Sequence, residues 1–491
     1  MVVNCPCVNE PHYAAESNIG RNIRLGGIVM TRTTRVVCTL AATLVLLFAA
    51  PGARTPAVAQ ARPNIVLIVT DDMGYGDIGL HGGRDIPTPN IDTLMKSGTR
   101  FTDAYVTGPF CSPTRAGLMT GKYQQRFGHE FNVPGGPAAA EFGLPLTETT
   151  IADRLKAAGY RTALFGKWHL GAGEKFHPQS RGFDEFFGFP GGQHSYTEVM
   201  ADGPNPILDG RKPAAGVTYL TDVLADRSVE FIQRKSAAPF LLYLAFNAVH
   251  VPMQATDKYL ARFPNIADPQ RRTYAAMLSA MDDAIGRVMA ALRSQQLEER
   301  TLVVFFNDNG GPTMEGTTIN GATNTPLRGS KRQTLEGGIR VPFAFSWKGT
   351  IPAGRVDRRP IIQLDVLPTA LAAAGITVPP AWKLDGVNLL PFLTGKDQGR
   401  PHDVLYWRLG NHMAIRSGDW KLLRTSEGPL VTGVFDSLAS LAGAELYNLA
   451  ADIGETKNLA ASEPARVRDL AETWLRWNGE LAKPLWGPGG G

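Results

Sequence analysis

The stretch "NIVLIVTDDMGYGDIG", residues 64–79, decides the fold class of this chain of 491 residues. Its first seven residues form a short apolar run rich in β-branched side chains, which is typical of a strand that is buried on both faces and paired in parallel. Similar runs occur at 162–165, 240–246 and 301–306. We therefore expect these four segments to be strands of one sheet.

Helical patterns alternate with these strands along the chain. They cover residues 147–160, 221–235, 271–297 and 365–375. Thr147 is the predicted N-cap of the first of these helices, and Gly159 lies near its end. Strands that alternate with helices predict an α/β fold with a large, mostly parallel, mixed sheet sandwiched between helices.

The character of the chain changes after "LLPFLTGK" at 389–396. Short, turn-separated segments then predict a small antiparallel sheet, closed by an amphipathic helix near 463–478. We therefore divide the chain into an N-terminal extension with a signal peptide, a catalytic domain and a small C-terminal α+β subdomain, with bounds of 1–59, 60–395 and 396–491. The tail "WGPGGG" at 486–491 is predicted to be disordered.

The N-terminal segment has the pattern of a signal peptide. Arg32 and Arg35 precede an apolar run at 36–50, and "AVA" at 57–59 offers small residues for cleavage. The run is shorter than the roughly 20 residues of a spanning helix, so we predict no stable membrane span, although an uncleaved anchor is the alternative. We expect export through the general secretory route to the periplasm or the medium, with a mature N-terminus near Gln60.

Charge and cysteine content narrow the function further. The formal net charge is +5, and residues 1–59 carry five arginines and two glutamates, a net of +3. The remainder therefore has about +2, too little to indicate nucleic acid as a partner. Cleavage also leaves Cys111 as the one cysteine, so no intramolecular disulfide is possible. Whether Met1 or Met30 is the true start stays open.

Polar residues follow each predicted strand at its carboxyl end. They are Asp71 and Asp72, Lys167 and His169, Asn247 and His250, and Asp308 and Asn309. Taken singly, each has a purely structural interpretation, as a turn, a helix cap or a hydrogen-bonded histidine. Because ligands bind outside the carboxyl ends of strands in open α/β sheets, their joint placement predicts one site.

The residue types in this set indicate a chemistry. Asp71, Asp72, Asp308 and Asn309 offer oxygen ligands, which calcium prefers and magnesium accepts, whereas zinc recruits histidine or cysteine. Positive charge comes from Arg115, Lys167 and Lys331, and His169 and His250 can transfer protons near neutral pH. A hard cation with several positive groups and two histidines suits hydrolysis of an oxyanion ester.

Cys111 begins the segment "CSPTRAGLMTG" at 111–121. By residue type alone, a lone cysteine is most often buried and inert. The C-x-P-x-R pattern, however, resembles the signature of the type I, formylglycine-dependent sulfatases, arylsulfatase-like members of the alkaline-phosphatase-like superfamily. The resemblance runs from residue 64 to about 460 and includes "GKWHLG" (166–171), "DNGG" (308–311) and "LYNLAADIGETKNLA" (446–460).

The resemblance implies a role for each candidate residue. A maturation enzyme would oxidise Cys111 to formylglycine, whose hydrate is the nucleophile, and Arg115 would hold that hydrate. The remaining roles are a calcium site (Mg²⁺ as the lesser alternative) at Asp71, Asp72, Cys111, Asp308 and Asn309; sulfate binding at Lys167, Lys331 and either His194 or Ser195; leaving-group protonation by His250; and proton removal by His169.

The implied reaction is hydrolysis of sulfate monoesters, either aryl sulfates or sulfated carbohydrates, through a covalent sulfo-enzyme. A second hydroxyl on the hydrate would expel sulfate by C–O cleavage, a route that a thiol or simple alcohol lacks. The alternatives are a phosphate or phosphonate ester hydrolase of the same superfamily and a catalytically dead, exported glycan-binding protein. We expect the loops at 124–143 and 190–218 to select the substrate.

Overall fold

The computed structural model describes most of the chain after the predicted targeting segment. The described residues are 62–135, 140–203, 205–426, 429–433 and 435–488. The predicted signal peptide and the choice of start lie outside them. None of the helices in these ranges is both long enough and apolar enough to cross a bilayer.

The described residues form sixteen strands and ten helices, joined by loops and short 3-10 turns. The strands are β1 Asn64–Thr70, β2 Thr99–Phe101, β3 Ala104–Tyr105, β4 Arg161–Lys167, β5 Glu185–Phe189, β6 Leu208–Asp209, β7 Lys212–Pro213, β8 Phe240–Ala245, β9 Thr301–Asn307, β10 Phe343–Ser346, β11 Arg355–Asp357, β12 Ile361–Ile362, β13 Val404–Leu409, β14 His412–Ser417, β15 Trp420–Arg424 and β16 Glu445–Asn448. The helices are α1 Pro89–Lys96, α2 Cys111–Thr120, α3 Ile151–Ala157, α4 Leu220–Gln233, α5 Asp257–Leu260, α6 Pro269–Ser294, α7 Glu336–Ile339, α8 Val366–Ala373, α9 Leu390–Leu393 and α10 Pro464–Asn478.

Ten of these strands form one mixed sheet in the order β11-β2-β10-β9-β1-β8-β4-β5-β6-β7. The central strands β9, β1, β8, β4 and β5 are parallel, while β10 runs antiparallel to both of its neighbours. Strands β13 to β16 form a separate antiparallel sheet. The predicted fold class is therefore confirmed, and the four predicted strands correspond to β1, β4, β8 and β9.

Helices cover both faces of the large sheet, which explains why its central strands are continuously apolar. Val66 and Ile68 of β1 pack into a core with α1, α4 and α6. Ile65, Leu67 and Val69 point the other way, into a core with α2, α3 and α8. Successive side chains of a strand point to opposite faces, so both sets must be apolar when both faces are buried.

The C-terminal sheet packs through α10 and shares an apolar cluster with residues of β3 and α7. A buried ion network also crosses this contact. The ammonium of Lys421 on β15 lies 2.8 Å from a carboxylate oxygen of Glu336 and 2.8 Å from one of Glu455, and all three residues are fully buried. The subdomain boundary near residue 395 stays a prediction.

Two local expectations were wrong. Helix α3 begins at Ile151 rather than near 147, because Thr150 and Asp153 form a capping box in which each side chain accepts from the other's backbone N–H. The start of the C-terminal tail is ordered: Trp486 is buried and donates from Nε1 to the carbonyl of Asn132 at 2.7 Å. The amide of Leu485 donates to Gly128 in the same stretch.

Candidate active site

The carboxyl edge of the large sheet brings the predicted polar residues together. Asp71 and Asp72 follow β1, Lys167 ends β4, His250 lies beyond β8, and Asp308 follows β9. All five are buried. Asp72 has a left-handed backbone conformation (φ 57°), which turns the chain sharply at the end of β1.

Cys111 is the first residue of α2 and lies at the centre of this group. Its Sγ is 3.7 Å from Oδ1 of Asp71, and the residue is 1% exposed. Ligand atoms of Asp71, Asp72, Cys111 and Asp308 all lie within 4.8 Å of one another. Burial raises the pKa of the thiol to about 12, against the opposing effect of Lys167 and Lys331.

Three cations balance three carboxylates in this cluster. Lys167 Nζ lies 2.6 Å from Asp71, Lys331 Nζ lies 2.8 Å from Asp72, and Arg115 Nη2 lies 2.8 Å from Asp308. Two longer contacts join Arg115 to Asp71 at 3.7 Å and His250 to Asp72 at 3.5 Å. Burial opposes the ionisation of these carboxyls. Even so, Lys331 and His250 lower the pKa of Asp72 to about 2. For Asp308, burial and the neighbouring Asp71 raise the pKa to about 6 despite Arg115.

The residues present fit a hard divalent cation. Oδ1 of Asp308 and Oδ1 of Asn309 are buried and have no hydrogen-bond partner among the described residues. Buried acceptors without partners are rare in folded proteins and call for a donor, a water or an ion. Together with the carboxylates of Asp71 and Asp72, these groups offer oxygen ligands, which calcium and magnesium prefer.

His250 faces the carboxylate cluster in a defined tautomer. Its Nδ1 lies 2.7 Å from the carbonyl oxygen of Val251, which can only accept, so Nδ1 carries the proton. The other nitrogen, Nε2, lies 3.5 Å from Oδ2 of Asp72. Burial and the charge on Lys331 lower the pKa of His250 to about 3, although Asp72 opposes them. The ring is therefore neutral at pH 7 when no further anion is present.

His169 lines the same cavity as Cys111, and its backbone geometry is unusual. Its φ is 58°, and its carbonyl oxygen accepts a hydrogen bond of 2.7 Å from the hydroxyl of Ser112. The ring packs directly on Gly192, where an added Cβ would lie 2.7 Å from the imidazole. Burial, followed by the charge of Lys167, lowers the pKa of His169 well below its usual value.

Ser112, His129 and Asn132 support this arrangement, although none was predicted as a site residue. Ser112 Oγ lies 2.7 Å from Nε2 of His129, and its amide donates to Oδ1 of Asn132 at 3.0 Å. These bonds tie the start of α2 to the loop that begins near residue 124. Ser112 stands inside the "CSPTR" motif, but its partners are visible only in the folded chain.

A cavity of about 280 Å³ opens above Cys111. The two predicted loops supply part of its wall, including Asn132, Val133 and Gln193. His194 and Ser195 do not line it: Nδ1 of His194 bonds to the carbonyl of Ser195, whose hydroxyl bonds to Gln254. Wall residues beyond the two predicted loops and the predicted site are Phe110, Gly171, Ala172, Gly316, Thr317, Thr318 and Arg332.

Comparison with protein families gives a match that covers more than half of the chain. The family model described as "Sulfatase" matches residues 63–376. This range contains every predicted site residue.

Individual proteins with similar sequences are named sulfatases. N-acetylgalactosamine-6-sulfatase of Canis lupus familiaris is 34% identical over 399 residues, which cover 77% of this chain and 74% of that protein. Arylsulfatase G of Rattus norvegicus is 36% identical over 392 residues, which cover 70% of this chain and 71% of that protein.

Solved structures share the fold. The crystal structure of Ps i-CgsB in complex with k-i-k-neocarrahexaose superposes with a TM-score of 0.77 at 37% identity, covering 87% of this chain and 94% of the other. PsFucS1 sulfatase from Pseudoalteromonas sp. has a TM-score of 0.71 at 26% identity, covering 92% of this chain and 95% of the other.

Proposed function

The chain belongs to the sulfatase family, and we propose that it hydrolyses sulfate monoesters, with sulfated carbohydrates as the natural substrates. The observation that carries the proposal is the position of Cys111. This residue lies at the base of an open pocket, 3.7 Å from Asp71, within a cluster of carboxylates and cations suited to an oxyanion ester.

We assign the metal site to Asp71, Asp72, Asp308, Asn309 and residue 111, with calcium as the cation and magnesium as the lesser alternative. The unpartnered oxygens of Asp308 and Asn309 support this assignment. A bound divalent cation supplies positive charge that favours ionisation of a hydroxyl on residue 111. Lys167 and Lys331, which now pair with Asp71 and Asp72, would then be available to hold the sulfate.

In the proposed reaction, residue 111 acts as formylglycine, which a maturation enzyme forms from the cysteine. The hydrated aldehyde carries two hydroxyls on one carbon: one attacks sulfur, and loss of a proton from the other releases sulfate. Arg115 is buried beside this position, where its guanidinium contacts Asp308 at 2.8 Å and Asp71 at 3.7 Å. Its positive charge favours the ionised hydroxyl.

The two histidines would transfer the protons. Nε2 of His250 faces the cluster and would protonate the departing oxygen, a role that requires a charged ring. The negative charge of a bound ester raises the pKa of His250 and supplies that condition. His169 lines the same cavity and would accept the proton from the second hydroxyl of the hydrate.

Sulfated carbohydrates fit the pocket and its relatives. The cavity is open, and its wall offers polar side chains, among them Asn132, Gln193 and Asn205, that can bond to sugar hydroxyls. One relative is named an N-acetylgalactosamine-6-sulfatase, and one structural neighbour holds a neocarrahexaose. We therefore place sulfated saccharides ahead of aryl sulfates as the natural substrates.

A small activity panel tests the function. The purified protein is assayed on an aryl sulfate, an aryl phosphate and a set of sulfated oligosaccharides, with and without a chelator. We expect sulfate release that the chelator abolishes and calcium restores. Faster hydrolysis of the phosphate would indicate a phosphoesterase instead. Saccharide binding without hydrolysis of any ester would indicate a glycan-binding protein.

We also propose that the protein is exported to the periplasm or the medium. The pattern at residues 30–59, which lies outside the described part of the chain, supports this proposal. N-terminal sequencing of the secreted protein should give a start near Gln60. An intact Met1 on protein recovered from the cytosol would contradict export.

A further inference from the structure

The pocket above Cys111 has a positive wall. Among the described residues that line it are Lys331 and Arg332, and none is an aspartate or glutamate. The carboxylates beneath the pocket are already paired, Asp72 with Lys331 and Asp308 with Arg115. Lys331 is therefore already balanced by Asp72, and Arg332 is the cation of this wall whose charge no described carboxylate neutralises.

Arg332 differs from the other cations of the site because no acidic partner for it lies among the described residues. Within the described ranges, its guanidinium makes one hydrogen bond, from Nη1 to the carbonyl oxygen of Gly316 at 2.9 Å, and no ion pair. Its Nε and Nη2 groups stay available. A guanidinium edge with two donors matches the geometry of a carboxylate or a sulfate.

The backbone holds Arg332 in place at the pocket rim. Its φ is 76°, in the left-handed region that side chains other than glycine rarely adopt. The amide donates to the carbonyl of Pro109 at 2.7 Å, and the guanidinium carbon lies 5.7 Å from the ring centre of Phe110. Strained backbone of this kind concentrates at functional positions.

We propose that Arg332 is a specificity residue that binds a second anionic group, a sulfate or a carboxylate, on the substrate whose scissile sulfate lies at residue 111. The proposal rests on the function proposed above and narrows it to polyanionic saccharides. Arg332 contacts no reacting atom in this assignment. Its charge-assisted bond is expected to contribute about 10- to 100-fold to kcat/KM for such substrates.

The test compares three saccharides of the same size: one with a single sulfate, one with two sulfates, and one with a sulfate and a uronic acid carboxylate. Arg332→Gln should lower kcat/KM about 10- to 100-fold for a substrate with a second anion. For the monosulfated saccharide, which has no second anion, kcat/KM should change little. A loss confined to the disulfated saccharide identifies a second sulfate, and a loss confined to the uronic acid identifies a carboxylate.

Arg234→Gln is the matched control, because Arg234 is exposed, lies outside the pocket wall and both predicted loops, and already pairs with Glu185. It should leave all three substrates unaffected. Equal losses for Arg332→Gln on all three saccharides, or no loss on any, would overturn the proposal.

Binding separates this proposal from the proposed function. In a Cys111→Ala background, which cannot turn over substrate, calorimetry measures the affinity for the disulfated and the uronic acid saccharides. Adding Arg332→Gln should weaken binding of at least one of them about 10-fold or more. If the wild-type protein hydrolyses no sulfate ester, the proposed function fails, and this measurement still decides the role of Arg332: unchanged affinity for both saccharides overturns it.

Discussion

The ammonium of Lys331 lies 2.8 Å from Oδ2 of Asp72, and both side chains are buried. Because Lys167 pairs with Asp71 in the same way, the protein balances the charge of two proposed metal ligands with its own cations. The fold can therefore assemble its site before a divalent cation binds.

Calcium should stabilise the protein through Asp308. At a free calcium concentration of 100 times Kd, the free energy of unfolding should rise by about 2.7 kcal/mol. Asp308→Asn keeps an oxygen for Arg115 but removes the negative charge, so both calcium affinity and sulfate release should fall. Calorimetric calcium titration and thermal unfolding measure the two effects. Asp469→Asn, at an exposed position in α10 outside both predicted loops, is the control. Full calcium affinity in Asp308→Asn would rule out the assigned site.

Cys111→Ser should trap the enzyme after one attack. A serine escapes a cysteine-specific maturation enzyme and leaves a simple alcohol beside Arg115. That alcohol can accept the sulfate group but has no second hydroxyl to release it. We expect a covalently sulfated peptide by mass spectrometry and at most about one turnover, whereas Cys111→Ala should show neither adduct nor activity. Repeated turnover by the serine variant without an adduct would refute the formylglycine mechanism.

His250→Ala should discriminate between leaving groups. General acid catalysis typically contributes about 10²- to 10⁴-fold, and it matters most when the departing oxygen is strongly basic. Sulfated sugars, with alkoxide leaving groups, should therefore lose much more activity than a sulfated nitrophenol. The measurement is kcat for both substrates in the variant and the wild type. An equal loss on both would assign His250 to substrate binding or to structure.

Lys421→Met should destabilise the protein strongly without touching the pocket. Removing this ammonium leaves Glu336 and Glu455 as neighbouring buried carboxylates, and breaking a buried ion pair costs about 3–5 kcal/mol. Urea unfolding measures the loss. Adding Glu455→Gln to the variant removes one of the two charges and should recover part of the stability. A loss below about 1 kcal/mol for Lys421→Met would mean that water or rearrangement compensates the charges.

His402 should make stability depend on pH. Its Nε2 lies 2.8 Å from Asp365, and although burial opposes protonation, Asp365 raises the pKa of His402 above its usual value. A raised folded-state pKa means that the stabilisation is complete below the unfolded value and declines as pH rises through the folded value. His402→Gln should therefore lower the free energy of unfolding more at pH 5.5 than at pH 9, by about 1–3 kcal/mol at the lower pH. An equal effect at both pH values would contradict the ion pair.

Strand ends could be predicted from the sequence because two strong physical signals coincide there. Runs such as 64–70 are apolar throughout since both faces of the sheet are covered, and parallel strands place their carboxyl ends at one edge. The convergence of Asp71, Asp308 and His250 on one site could therefore be predicted from the parallel sheet alone. The role of Cys111 was different, because it rested on the family signature and not on periodicity.

Other features depend on contacts between distant segments and were missed for that reason. Arg332 follows Lys331 in the sequence, but its position in the pocket wall depends on hydrogen bonds to the carbonyls of Pro109 and Gly316. Both residues are distant from Arg332 along the chain, so the sequence alone did not indicate these contacts. The choice of Thr147 as the N-cap was a local error, because Thr150 is also a candidate. Asp153, three positions after Thr150, was the signal that distinguishes the two threonines.

Trp486 gives the C-terminal segment a part in the order of assembly. Its indole bonds to the carbonyls of Phe131 and Asn132, and its ring lies 4.7 Å from that of His129, which contacts Ser112 beside Cys111. During synthesis this tryptophan leaves the ribosome after every other residue of the site. A nascent or proteolysed chain that stops short of Trp486 still contains all the chemical groups of the site. It lacks, however, the contacts of Trp486 with His129, Phe131 and Asn132 that support one wall of the pocket.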